Sequence, residues 1–227
     1  MPTYKLTYWD ARALAEVSRQ LFALSETPFE DNRIKRDQWE SEYKKDSPFG
    51  KIPILEVDGK KLPQSHAIAR YLARKFGPHI SLSYSSNSFF PISSYFRICR
   101  EDSIREGVVD AIADQFKDFY TDHLPFFVVL TGLKDGDLST LRIEVGEPAR
   151  DKFFEYIEQI AKKNGSGYLV GRSVTWADLL IVDYMFTLES KAPGYLDGFP
   201  TMKKVKKSVE NTPKLKEYLA KRPNNAF

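Results

Sequence analysis

Short alternating runs occupy the first third of the chain, and helical periodicities take over after it. Tyr4 to Thr7 reads as a short strand ending at Tyr8-Trp9-Asp10. From Arg12 to Ser25, Leu14, Val17, Leu21 and Leu24 recur at three- and four-residue spacing, which predicts a helix with one buried face. Phe29 to Ile34 reads as a second strand. Asp37 to Lys45 is polar with Trp39 standing alone, so an exposed, irregular helix is expected there. After Pro48-Phe49-Gly50-Lys51-Ile52-Pro53 comes a strand over Ile54 to Val57, and Asp58-Gly59 signals a hairpin into Lys60 to Leu62. Ser65 then caps a helix whose stripe is Ile68, Leu72 and Phe76. The order β-α-β-α-β-β-α describes a small α/β domain over residues 1–78.

Beyond it the pattern is helical throughout. Glu101 to Leu130, Leu138 to Lys162, Trp176 to Glu189, Pro200 to Glu210 and Pro213 to Lys221 carry the periodicity, with almost no strand signal between them. An all-helical domain over 104–227 follows. Residues 79–103 form the linker. Within it the serine-rich stretch Ser81 to Tyr95 shows neither period and reads as an inserted loop. There is no internal repeat.

Composition narrows the class. A chain of 227 residues with 42% hydrophobic content builds its core without staples. The single cysteine, Cys99, excludes an internal disulfide framework and any multi-cysteine metal site. No apolar run approaches the ~18 residues of a membrane span, and the start reads as structured sequence and not as a signal peptide. In a reducing compartment the Asn164-Gly165-Ser166 sequon is only a turn. A net charge of +3 is too small to mark a nucleic-acid partner. The basic run of Lys203, Lys204, Lys206, Lys207, Lys214 and Lys216 is explained more simply as a solvated helical face than as a groove contact.

Several local sequences coincide with one family. Tyr4-Lys5-Leu6-Thr7-Tyr8, Trp39, the run Pro48 to Gly59 and Gln64-Ser65-His66-Ala67-Ile68-Ala69-Arg70-Tyr71-Leu72 resemble sigma-class glutathione S-transferases, a group related to the haematopoietic prostaglandin D synthases. Val109 to Asp114 and Ser173 to Asp178 extend the resemblance into the helical half. It covers nearly the whole chain outside residues 78–103. It implies an α+β architecture: a thioredoxin-like N-terminal domain followed by an all-helical C-terminal domain. It also implies a cytoplasmic homodimer that uses glutathione as co-substrate, holds no metal, and conjugates hydrophobic electrophiles in detoxification.

The residues suit that chemistry. A thiol must become a thiolate to attack an electrophile. Lowering its pKa from about 8.5 to about 6.5 requires about 2.7 kcal/mol of selective stabilisation, and one charge-assisted hydrogen bond contributes about 1.5–3 kcal/mol. The resemblance gives that hydrogen bond to Tyr8, the catalytic candidate among twelve tyrosines, most of which read as structural. It assigns the cysteinyl part of glutathione to the backbone of Ile52, turned outward by a cis bond to Pro53, with Gly50 and Lys51 in the same loop. A helix N-terminus offers unpaired N–H groups and partial positive charge, and the resemblance places the γ-glutamyl carboxylate there, at Gln64 and Ser65. Trp39 and a lysine hold the glycyl end. Tyr43 stands where the family has that lysine, so Lys44 takes the role, with Lys45 as the alternative. Asp118 matches an acidic residue that reaches the neighbouring subunit's γ-glutamyl amine. The electrophile site is expected between the domains, with Trp9, Arg12, Phe119, Tyr120 and Phe126 as candidates. Thr175-Trp176-Ala177-Asp178 is a capping box and structural.

Two departures bear on the reaction. The prostaglandin-synthesising members have an arginine where this chain has Leu14, and Lys117 replaces one of their three metal-binding acids, leaving Asp114 and Asp118. Both argue against metal-stimulated prostaglandin isomerisation and leave conjugation untouched. A non-catalytic ligand carrier and a crystallin-like structural protein are the competing readings. Neither needs Tyr8, Ile52-Pro53 and Gln64-Ser65 together. Cysteine-type transfer is disfavoured because Cys99 lies far from the first strand.

Overall fold

The computed structural model describes residues 2–82 and 95–223. The chain divides into two compact units, residues 1–86 with 213–227, and residues 87–212. In the first, β1 (Tyr4–Trp9), β2 (Glu30–Ile34), β3 (Ile54–Val57) and β4 (Lys60–Pro63) form one sheet of order β2-β1-β3-β4. β2 runs parallel to β1, which requires a crossover, and α1 (Glu16–Ser25) supplies it. β3 is antiparallel to both β1 and β4. The β3–β4 turn needs only Asp58 and Gly59, with φ of 48° and 77°, the primed hairpin geometry that Asp-Gly favours.

α2 (Arg36–Gln38) runs into a π-helical turn at Trp39–Tyr43 and a 3₁₀ turn at Lys44–Asp46, so the irregular helix expected here is present. Trp39 is nonetheless buried. α3 (Ser65–Leu82) packs on α1. Phe22 of α1 joins these layers: it stacks on Phe29 at 4.2 Å, meets Tyr4 edge-on at 5.3 Å and lies 5.5 Å from Phe76 of α3. Leu6, Leu55, Ile68 and Leu72 are fully buried beside it, each stabilising the fold by about 1.5–3 kcal/mol.

One expectation about α1 fails. Its buried surface is not a single stripe: Glu16, Ser18, Arg19 and Gln20 are as inaccessible as Val17 and Leu21. Leu14, counted in the stripe, sits instead in a 3₁₀ turn (Ala13–Ala15) and is 37% exposed. Charged side chains are buried here because they pair with one another.

The second unit holds α4 (Tyr95–Leu130), α5 (Leu138–Leu141), a π-helical turn at Arg142–Gly146, α6 (Glu147–Asn164), α7 (Trp176–Lys191) and α8 (Pro200–Glu210). Its core is aromatic. Phe119 stacks on Phe153 at 4.5 Å, and Phe116, Phe119 and Phe127 pack around Tyr184. The capping box is formed as expected: Asp178 accepts from the N–H of Thr175 and the Thr175 hydroxyl, and also from the N–H of Leu169. At α8, where no side chain caps from within, the Glu158 carboxylate of α6 accepts from the N–H groups of Thr201 and Met202 at 2.9 and 2.8 Å. Burial alone raises the pKa of Glu158, yet these donors hold it below the usual range.

The linker expected at 79–103 is helical at both ends, because α3 runs on to Leu82 and α4 begins at Tyr95. α3 continues through Gly77 and Pro78. The core of the serine-rich insertion, residues 83–94, lies outside the described residues. α9 (Pro213–Lys221), assigned by sequence to the helical domain, belongs to the first unit and packs on α1. Among the described residues, no helix is long and apolar enough to cross a membrane.

Candidate functional site

Strand direction decides where the candidate residues fall. Because β2 is parallel to β1, Trp9 at the end of β1 pairs with Ile34 at the end of β2. Because β3 is antiparallel, Thr7 pairs with Ile54, the first residue of β3. Ile54 in turn pairs with Pro63, the last residue of β4. The exit of β1, the exit of β2, the entry to β3 and the exit of β4 therefore share one rim of the sheet. Tyr8 and Trp9, the segment leading to Trp39, Ile52-Pro53 and Gln64-Ser65 stand at those four points.

The side chains there are ordered by local chemistry. Tyr8 is 5% exposed and alternates onto the same sheet face as Leu6 and Tyr4. Trp9 points the other way and meets Trp39 edge-on at 6.0 Å. The loop before β3 is pinned by Ser47, whose hydroxyl accepts from the Lys51 N–H at 3.0 Å and donates to the Lys51 carbonyl at 2.8 Å. Gly50 takes φ of 59° and donates its N–H to the Ser47 carbonyl, a turn that a β-carbon would strain. The Ile52–Pro53 bond is cis.

The start of α3 differs from expectation by one residue. The Gln64 carbonyl accepts the first helical bond, from the Ile68 N–H at 2.9 Å. Gln64 thus occupies the N-cap position and Ser65 the first helical turn. Gln64 is also left-handed, with φ of 75°, a conformation costing a non-glycine residue about 1–2 kcal/mol. Such strain concentrates at functional sites.

Other candidates are placed less decisively. Lys44 is half exposed and its Nζ pairs with Glu40 at 2.8 Å, while Lys45 and Lys51 are exposed. Arg12 is buried at the entry to the 3₁₀ turn. Asp118 is exposed on α4. Phe119 and Phe126, expected to line an electrophile pocket, are 3% and 1% exposed and belong to the helical unit's own core, Phe126 stacking on Tyr195 at 5.3 Å. Tyr120 is half-buried among Phe116, Phe127 and Tyr184, and burial raises its pKa. The density of aromatic residues on α4 is explained by packing.

Sequence reading missed a charged cluster behind the rim. Arg19 pairs with Asp31, Asp31 with Arg33, and Arg33 with Asp10, at 2.8–3.1 Å. Its only sequence signal was the pair Glu16 and Arg19 within an apolar-periodic helix.

Comparison with known proteins identifies the family. Residues 4–74 match the glutathione S-transferase N-terminal domain and residues 117–222 the glutathione S-transferase C-terminal domain. The chain is 42% identical to glutathione S-transferase 1 of Ascaris suum, over the full length of both. A Nu-class enzyme from Haemonchus contortus is 45% identical over all of both chains, with a TM-score of 0.82. A monomeric glutathione S-transferase from Necator americanus is 42% identical over 99% of this chain and 100% of its own, with a TM-score of 0.84. The chain belongs to the glutathione S-transferase family.

Proposed function

We propose that the chain conjugates reduced glutathione to hydrophobic electrophiles, with Tyr8 stabilising the thiolate. The thiol releases its proton to solvent. Sulfur then donates an electron pair to an electrophilic carbon, and the bond from that carbon to its leaving group breaks. The observation that carries this reading is the convergence of Tyr8, Trp39, Ile52-Pro53 and Gln64-Ser65 on one rim of the sheet. A phenol beside the sulfur, a backbone amide pair for the cysteinyl unit and a helix N-terminus for the γ-glutamyl carboxylate suit the three parts of one anionic tripeptide. Trp39 and Lys44 take the glycyl end.

Within the family, the resemblance to sigma-class members extends to thiol activation and not to prostaglandin synthesis. Leu14 and Lys117 favour general conjugation over prostaglandin isomerisation, and a detoxifying role in the cytoplasm is what the resemblance to the family implies. A homodimer with Asp118 donated across the interface is supported by apolar side chains left in solvent, Phe49 in the first unit and Ile104 in the second, 63% and 74% exposed. The monomeric Necator americanus relative makes this a point for sedimentation analysis.

The deciding experiment titrates bound glutathione by thiolate absorbance in the native protein and in Tyr8→Phe. A thiol pKa well below that of free glutathione, moved back up by the substitution, supports the reading. Binding without a shift makes the protein a carrier.

A further inference from the structure

The cluster behind the rim connects the last helix to the turn that follows Tyr8. Arg19 is 1% exposed, and its guanidinium distributes its donors over three elements. Nε donates to both Asp31 carboxylate oxygens of β2, at 3.1 and 3.2 Å. One terminal nitrogen donates to the Ala11 carbonyl at 2.6 Å, and the other approaches the Trp9 carbonyl at 3.5 Å. Those two carbonyls bracket the turn that follows Tyr8, in which the Ala11 N–H also donates to the Trp9 carbonyl at 2.7 Å. The far side of the same loop is held at Asp10 by Arg33, which shares Asp31 with Arg19.

That loop needs holding. Ala13, which ends it, has φ of 37°, a left-handed conformation without a glycine to relieve it. Arg19 is itself held from behind. Glu16 lies 3.6 Å from it, and the other Glu16 oxygen accepts from the Tyr218 hydroxyl at 3.1 Å and from Arg222 at 2.9 Å. Glu16 is 1% exposed, and among the described residues its charge is matched by the ion pairs to Arg19 and Arg222. Without the Tyr218 and Arg222 donors, the carboxylate is expected to draw the Arg19 guanidinium toward itself and away from Ala11.

We propose that Arg19 is a positioning residue for thiol activation, and that Tyr218 and Arg222 set its position through Glu16. The C-terminal helix thereby fixes the turn after Tyr8. The inference rests on the conjugating function proposed above. It assigns α9 a part in the reaction through the scaffold, without contact with glutathione.

The test uses the full chain, reduced glutathione and an activated aryl chloride, with thiolate titration and steady-state kinetics. In the double variant Tyr218→Phe/Arg222→Gln the bound-thiol pKa is expected to rise by about half a unit, about threefold less thiolate on the acid side. kcat falls by about three- to tenfold while KM for glutathione stays within about twofold, because the substrate's own contacts remain. Arg19→Lys keeps the charge but loses the fork, and falls further. Arg222→Lys restores a cation beside Glu16 and recovers most of the loss. Val205→Ala, a truncation in the other unit, lowers Tm without moving the titration. Wild-type titration and kcat in the double variant would overturn the proposal, as would an equal pKa rise in Val205→Ala. Failure of the function itself reads differently, since the native protein then shows no thiolate and Tyr8→Phe changes nothing.

Discussion

His123 gives the sharpest prediction about stability. It is fully buried in α4, with Nδ1 2.7 Å from the Tyr184 hydroxyl and Nε2 3.1 Å from the Tyr195 hydroxyl. A neutral imidazole has one N–H and one lone pair, so it donates to one tyrosine and accepts from the other. Protonation would leave two donors there and bury a charge near Arg150, whose guanidinium lies 4.6 Å above the Tyr195 ring. Burial, then Arg150, hold the His123 pKa down to about 3. Since the unfolded chain takes up this proton near pH 6.5 and the folded one does not, stability is full above that pH and is lost as pH falls from about 6.5 toward 3. At pH 5 the loss from this group is about 2 kcal/mol. Asp178 acts in the opposite sense: burial pushes it up to about 6, so its contribution declines as pH rises from about 4 to 6. Comparing variants cancels that common term. His123→Gln retains a donor and an acceptor but does not titrate. Urea unfolding at pH 7 and pH 5, followed by tryptophan fluorescence, is expected to show about 2 kcal/mol more acid loss in the wild-type protein than in the variant. Equal losses would refute the assignment.

The other expected effects are smaller in scope. Tyr8→Phe lowers kcat/KM for an activated aryl chloride by about ten- to hundredfold, the equivalent of one charge-assisted hydrogen bond, while circular dichroism stays native. Ser65→Ala weakens glutathione binding by about tenfold or more in titration calorimetry; unchanged affinity would remove the hydroxyl from the site. Gly146→Ala places a methyl group 2.8 Å from the Phe126 ring and from the Tyr195 hydroxyl, both in the helical core, and costs about 1–3 kcal/mol in urea unfolding.

Most of the scaffold was legible in the sequence because its signals are local. The Asp58-Gly59 hairpin, the Thr175 capping box and the edges of α8 and α9 depend on neighbouring residues, and the pattern placed them correctly. The four-point rim was reached through family resemblance, since period-two alternation carries no information about which strand lies beside which. Non-local charge pairing escaped altogether. Glu16 and Tyr218 meet across most of the chain, and nothing in the spacing of either marks a partner. The packing of α9 on α1, distant in sequence, was invisible for the same reason. Phe119 and Phe126 were misread for a different reason: an aromatic residue on a helix looks the same whether it faces a ligand or, as here, Phe153 and Tyr195.

The return of α9 to the first unit sets an order of assembly during synthesis. The sheet, α1 and α3 leave the ribosome long before residues 213–222 exist. Until then Glu16 has Arg19 beside it but neither Tyr218 nor Arg222, and the charged pair lies under an unfinished surface. The thioredoxin-like half is made first yet completed last, so its final packing waits on the entire helical unit. A nascent chain arrested before Pro213 presents α1 uncovered to chaperones and proteases, however well the sheet beneath it has formed.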